Sequence, residues 1–340
     1  MDRLLKKYLL KTYSHTFFPI FFTLFIITSI IYLVRISTLT SIMQINFIEL
    51  LQLYSYVIPT IIFYTLPIST FISLALSLSR LSSEYELIVI TSFGLNPLKL
   101  IRLFLPVILL TTIFLLLNSL VLIPKSDSRY DAFKEKKRVE AQFNIRASEY
   151  GQQFASWLLY VDKEKDGKFN DIVLFKQENG EDTFIISKHA TLKNNNLSLS
   201  LNLRDGKALR IEDNINQIDF KRMILYSQLQ GTKNISNLDD LLAYWSEGYT
   251  KESIKYKFVF SVLTSIFPLI SMLFFISLGY YNPRYNKNRA SAYAIVCTII
   301  FIVFSQKFAK EFGLLALVII PSIWIGLSIV YYRMKIRLLY

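Results

Sequence analysis

Cysteine and histidine are nearly missing from this 340-residue chain, which holds one cysteine, Cys297, and two histidines, His15 and His189, far apart in sequence. No intramolecular disulfide is open to it, and no Cys/His metal set is visible in the sequence. None of the ten glycines falls in the G-x-x-x-x-G-K-[ST] frame that cradles nucleotide phosphates, so the chain is not expected to hydrolyse nucleotide alone. Neither histidine has a recognisable nucleophile or base motif beside it, which argues against catalysis. All three residues are expected to be structural.

Charge is missing from six stretches: Thr16–Val34, Leu50–Ser79, Leu103–Pro124, Phe258–Pro283, Ala290–Gln306 and Phe312–Tyr332. Each is at or near the roughly 17 to 25 residues of a bilayer-spanning helix. Together with 53% hydrophobic residues and a mean hydropathy of +0.38, they exclude an ordinary soluble domain. Pro59, Pro67, Pro106, Pro268 and Pro321 inside them predict kinks. No acid stands at mid-membrane, which disfavours proton or sodium coupling. Met1 to Lys11 is too charged, and the following run too long, for a cleavable signal peptide, so a retained first span is expected.

Positive charge, by contrast, is abundant, with 38 Lys+Arg against 25 Asp+Glu and a net charge of +13. Residues 125–250 hold 19 basic and 19 acidic side chains, so the whole excess flanks the apolar runs. That is a signature of membrane orientation rather than of nucleic-acid binding. Thirteen of the basic residues fall on one side if the amino terminus is cytoplasmic: Arg3, Lys6, Lys7, Lys11, Arg80, Lys99, Arg102, Arg284, Lys287, Arg289, Arg333, Lys335 and Arg337. The positive-inside rule then predicts both termini in the cytoplasm and residues 125–250 outside it.

That stretch alternates apolar and polar residues, as in Leu197 to Leu203 before Arg204-Asp205-Gly206, and similar runs occur at 154–161, 171–175, 184–191 and 215–229. Period two with Asp-Gly and Asn-Gly turns predicts five or six strands in a small sandwich, jelly roll or open barrel. Candidate inward residues are Leu199, Leu201 and Leu203 on one strand, and Phe184 and Ile186 on another. Polar helical connectors are expected at Ser126–Gln142 and, after an Asn237 N-cap, at Leu238–Gly248. The domains are thus residues 1–124, 125–250 and 251–340.

Between the second and third spans, Ser83 and Glu86 have the spacing of a capping box; Gly94 is placed to stop the short helix, and Asn96-Pro97 to start the next. A short helix over 83–94 at the cytoplasmic face follows. It reads either as a simple connector or as a coupling helix that docks into a motor.

Several short motifs bear on that choice: Leu33-Val34-Arg35-Ile36, Leu66-Pro67-Ile68-Ser69, the block Ser83-Glu84-Tyr85-Glu86-Leu87-Ile88-Val89-Ile90 to Gly94, and Tyr281-Asn282-Pro283-Arg284. In this order, with three spans on each side of a β insert, the chain resembles the YjgP/YjgQ family of lipopolysaccharide-export permeases, LptF and LptG, and looks more like the F subunit. The resemblance implies a polytopic six-helix membrane protein of the bacterial inner membrane with an inserted periplasmic jelly-roll-like domain. It implies a non-catalytic half of an ABC exporter that needs no cofactor: an F and a G subunit, an LptB ATPase dimer below, and LptC and the bridge protein LptA beyond. ATP work would pass lipopolysaccharide from the inner membrane to that bridge. In this family the coupling acid falls on Glu86 and the glycine on Gly94. Glu84 is an additional acid here, and two helical positions diverge by about 200°, so both cannot face one groove. The family's first-span cation corresponds to Arg35, suited to the phosphates of lipid A, and Lys251, Lys255 and Lys257 are candidates for the same field. The bland readings are a snorkelling arginine and a solvated stalk end. Two other functions remain open: a mechanotransmission ABC subunit, which six spans around a central insert argue against, and an ATP-independent scramblase or channel.

Overall fold

The computed structural model describes residues 3–40, 45–92, 98–143, 152–154, 157–165, 168–178, 181–195, 198–211, 215–228, 235, 237–284 and 288–337. The chain divides into two compact units, Met1–Ser37 with Leu51–Arg129 and Asn234–Tyr340, and Thr38–Leu50 with Tyr130–Lys233.

Five segments among the described residues are long and apolar enough to cross a bilayer. They lie in α1 (Arg3–Thr40), α2 (Phe47–Ser83), α4 (Leu98–Leu117) with α5 (Ile123–Phe143), α7 (Glu252–Ile270), and α9 (Ala290–Phe312) with α10 (Ala316–Tyr332). The last segment folds back on itself. Gly313 takes a left-handed φ of +52 between α9 and α10, and Phe301 of α9 meets Trp324 of α10 with ring centroids 5.1 Å apart. A Cβ at Gly313 would also stand 2.5 Å from Lys255 Cε. Six apolar rods result, matching the six uncharged windows. The fourth is interrupted at Ser271, just after Pro268, where α7 gives way to α8 (Met272–Gly279).

The hub is α2, 78% of whose most apolar stretch is buried. Its buried face interleaves apolar side chains such as Phe71, Leu74 and Leu78 with small hydroxyl residues, among them Thr65, Ser69, Thr70, Ser73, Ser77 and Ser82. Such residues let helices approach closely in lipid, where no hydrophobic force drives association. Except for Ser82, their hydroxyls are satisfied within the helix, as in Thr70 Oγ1 donating to the Leu66 carbonyl at 2.7 Å and Ser77 Oγ to the Leu74 carbonyl at 3.0 Å. Phenyl rings join the helices: Phe71 of α2 with Phe267 of α7 at 5.0 Å, and Phe104 of α4 with Phe275 of α8 at 6.2 Å. A π-helical turn, Asn118–Leu122, joins α4 to α5 and turns Asn118 toward α2, where its amide donates to the Pro59 carbonyl at 2.8 Å. In contrast, only 6% of the corresponding stretch of α1 is buried. The connector expected at Leu238–Gly248 is α6 (Leu238–Ser246) followed by a 3-10 turn; at its start the Asn237 N–H donates to Asp240 Oδ2 at 3.0 Å.

The other unit carries one antiparallel sheet of six strands, β1 (Gln152–Phe154), β2 (Trp157–Lys165), β3 (Lys168–Glu178), β4 (Glu181–Asn195), β5 (Ser198–Ile211) and β6 (Ile215–Gln228), ordered as in the sequence. Leu159, Val161, Phe169, Ile172, Leu174, Ile185, Ala190, Leu201 and Leu203 form its buried cluster. Within this unit Lys137 Nζ also pairs with Glu49 Oε1 at 2.6 Å.

Side-chain alternation in this sheet breaks along one row. Pairing passes from Ile172↔Ser187 to Asn170↔His189, from Ser187↔Gly206 to His189↔Arg204, and from Gly206↔Phe220 to Arg204↔Arg222. Asp171, Lys188, Asp205 and Lys221 are passed over, and the row continues to Asp162, skipped between Val161↔Ile172 and Lys163↔Asn170. Asp171 and Asp205 both take φ +53, a conformation Asp tolerates better than most residues. Across the row, buried positions change parity: Phe169 and Ile172 on β3, Ser187 and Ala190 on β4. The expectation of an inward Ile186 is thereby corrected. Counting back by twos from Ala190 puts Ile186 inside, but the parity change leaves it 46% exposed and Ile185 at 3%. Leu201 and Leu203 are buried as expected, Phe184 is half-buried against Phe175, and the Leu199 side chain lies outside the described residues. Ser187 spans the break, its hydroxyl donating to the Arg204 carbonyl at 2.7 Å. Gly206 is required beside it, since a Cβ there would meet the Ile186 carbonyl at 2.4 Å.

Candidate functional site

At the end of α2 the chain makes a tight turn into α3 (Glu86–Ser92). Tyr85 makes the turn at φ +62, uncommon for an aromatic residue, and stands 51% exposed. Its carbonyl accepts from the Val89 N–H at 3.1 Å, which closes the first turn of α3. Leu87 is fully buried, whereas Val89 on the opposite side is 52% exposed.

The capping box expected between Ser83 and Glu86 does not form. Helix α2 continues through Ser83, so that residue is not an N-cap, and its hydroxyl donates back to the Ser79 carbonyl at 2.9 Å. It also sits 2.6 Å from the Tyr281 hydroxyl. The Glu86 carboxylate, freed from capping, accepts from the Tyr8 hydroxyl of α1 at 2.7 Å to Oε2 and 2.9 Å to Oε1. Glu84 lies in the turn rather than on α3, and its carboxylate pairs with Arg80 Nε at 3.1 Å. The two acids therefore have separate partners. Gly94, Asn96 and Pro97 lie outside the described residues.

The base of the turn is built by a segment two hundred residues away. Ser82 Oγ donates to the Gly279 carbonyl at 2.8 Å, the Tyr281 N–H approaches the same hydroxyl at 3.4 Å, and Thr91 Oγ1 is 3.5 Å from the Tyr280 hydroxyl. Ser79 Oγ donates to Asn288 Oδ1 at 2.8 Å, and that oxygen also accepts the Ala290 N–H at 3.2 Å. Contact is close because Gly279 has no side chain: a Cβ would fall 2.4 Å from Leu78 Cβ and 2.9 Å from the Ala75 carbonyl. Tyr8, Gly279 and Asn288 were not singled out in the sequence. The only signal for them is the closeness of Gly279 and Asn288 to the Tyr281-Asn282-Pro283-Arg284 motif.

The cations at the other end of the rods are dispersed. Arg35 is an exposed residue near the end of α1, beside the fully buried Ile36. Lys251 Nζ pairs with Glu247 Oε2 at 2.9 Å, and Lys257 Nζ lies 4.0 Å from Asp127 Oδ2. The stem of Lys255 packs over Gly313. Lys255 and Lys257 project from α7 about 200° apart, so the three lysines do not converge on one point. Tyr244 on α6 feels the same Asp127: burial first, then that carboxylate, pushes its hydroxyl above the usual tyrosine range. His189 is used within the sheet, Nδ1 lying 2.8 Å from Asn170 Oδ1. Among the described residues, no group of three His, Cys, Asp or Glu is placed to hold a metal ion.

Against individually curated proteins the chain has no match. The model of the family described as lipopolysaccharide export system permease LptF/LptG matches residues 7–334, a span that includes both motifs meeting at Ser83 and Tyr281, and the chain belongs to that family of membrane permeases.

Proposed function

We propose that this permease is the F-type transmembrane subunit of an ABC exporter that extracts lipopolysaccharide from the inner membrane and delivers it to a periplasmic bridge. Its partners are a G-type permease, an LptB ATPase dimer, LptC and LptA. Both termini lie in the cytoplasm and residues 125–250 in the periplasm, the orientation favoured by the thirteen basic residues at one set of rod ends.

The observation that carries this reading is α3. Its base is held by Gly279, Tyr280 and Tyr281, while Tyr85 and Val89 project uncovered beside the carboxylate of Glu86. An exposed apolar pair next to an acid, on a rigid base, suits a groove in a motor subunit. Glu86 is the coupling residue and Glu84, held by Arg80, braces the turn. Arg35, Lys251, Lys255 and Lys257 serve the substrate as separate contacts for phosphate and carboxylate groups, arranged around the outer rim rather than as one cluster.

Purification of the chain in mild detergent, followed by ATPase assay and subunit identification, tests the proposal. An ATPase is expected to copurify, with its turnover responding to added lipopolysaccharide. A well-behaved preparation without ATPase, yet able to move lipid between leaflets of a vesicle, would replace this reading by a scramblase.

A further inference from the structure

A cleft of about 690 Å³ opens between α8, the first two turns of α9 and the π-helical turn Arg333–Arg337 that follows α10. This lies within the volume range of ligand pockets. Its character changes along its length. Arg289, immediately before α9, and Lys335, just past α10, stand at the helix ends. Val296 lies seven residues into the span from Arg289, about 10 Å along the axis. It lines the cleft together with the buried Phe274.

Two features identify what fits. Among the described residues, neither Arg289 nor Lys335 forms an ion pair and no carboxylate lines the cleft. Lys335 Nζ instead lies 5.7 Å over the ring of Tyr331, which steers it to the cleft wall. Paired cations at helix ends, continuous with an apolar channel running into the membrane, complement an amphiphile with an anionic head. The absence of an acid leaves no partner for the amine of a zwitterionic headgroup.

We propose that this cleft binds an anionic phospholipid, its phosphate between Arg289 and Lys335 and one acyl chain along Val296 and Phe274. The leaflet, the cytoplasmic one, rests on the orientation proposed above; the chemistry of the cleft does not. Tyr281 gives the site a consequence, since it lines the cleft while its hydroxyl holds Ser83 at the base of α3. Lipid in the cleft therefore abuts the support of the coupling segment.

The test uses the full chain with its copurifying subunits, delipidated in neutral detergent. It is titrated separately with dioleoylphosphatidylglycerol, dioleoylphosphatidylcholine and inorganic phosphate. Bound lipid is counted by native mass spectrometry, and alkylation of Cys297, the chain's one cysteine and a cleft residue, is followed by peptide mass. Phosphatidylglycerol is expected to bind about tenfold or more tightly than phosphatidylcholine and to slow alkylation. Phosphate alone should leave the alkylation rate unchanged. The double variant Arg289→Gln/Lys335→Gln should lose the preference, while Arg333→Gln keeps it. If the double variant melts early without lipid, Val296→Trp, which fills the channel, should block lipid without touching either charge. Equal affinity for the two lipids, or full protection by phosphate alone, overturns the lipid site. Loss of ATPase copurification with unaltered phosphatidylglycerol affinity also overturns it, assigning the cations to a protein partner. None of these lipid readouts depends on ATP turnover, so the site and the exporter reading stand or fall separately.

Discussion

Glu86→Ala is expected to lower ATP-driven lipopolysaccharide release by about tenfold or more, on the scale of a lost charged interfacial anchor, while leaving the chain folded. Glu86 touches Tyr8 and nothing else in its described hydrogen bonds, and both side chains are partly exposed. Removing such a pair costs the fold about 1 kcal/mol. Three further variants locate the effect. Tyr8→Phe keeps the carboxylate but frees its orientation, and an intermediate loss is expected. Glu84→Ala removes only the brace to Arg80 and should be mild. Tyr85→Ala removes the exposed aromatic and relieves little of the φ +62 strain, so its loss of coupling should follow that of Glu86. Melting temperature and release are measured together. Normal release by Glu86→Ala, with the ATPase bound, would remove α3 from the coupling path.

Gly279→Val should produce the largest loss of stability. The new Cβ alone would overlap Leu78 Cβ and the Ala75 carbonyl, atoms of α2 that cannot swing aside. Overpacking of this kind costs about 1 to 3 kcal/mol, and more where backbone must move. Separation of the helices would also break the bond from Ser82 to the Gly279 carbonyl and so unseat α3. The control is Gly326→Ala. Nothing stands within 4 Å of a Cβ at Gly326, and alanine there should be neutral or slightly stabilising by helix propensity. Thermal unfolding in detergent, with the release assay as second readout, compares the two. Equal melting temperatures would mean that the α2/α8 contact is not under the constraint described.

The six rods were legible because the absence of charge over twenty residues has one dominant physical cause, and the strands because alternation is a local signal; the turn expected at Asp205-Gly206 is not one, since β5 runs through both residues. The short helix after α2 was legible from its motif, but its bonding was misread. Ser83 and Glu86 have capping-box spacing, yet the cap depends on where α2 stops, and α2 is carried past Ser82 by its bond to Gly279, a contact across 197 positions. Tyr8 has no local signature, since its role depends on α1 passing beside α3. The inward face of β4 was misassigned for a similar reason. Period two holds on each side of Lys188, but the phase changes across that residue, in the row that also holds the left-handed Asp171 and Asp205 of the neighbouring strands. The lysines beyond the fourth span looked like one field in sequence because a linear reading ignores the helical angle between positions 255 and 257.

That row of passed-over residues has a mechanical consequence. The ladders of β3, β4, β5 and β6 are interrupted at neighbouring positions, which gives the sheet a crease. Within each half, continuous pairing resists shear; at the crease, Ser187 Oγ is shared between the His189 carbonyl of its own strand and the Arg204 N–H and carbonyl of β5. Bending stress is concentrated on that line, and the one buried cluster that spans it, with Ile172 and Ile185 on one side and Ala190 and Leu203 on the other, ties the two panels together, so that any flexing at the crease is felt by the core.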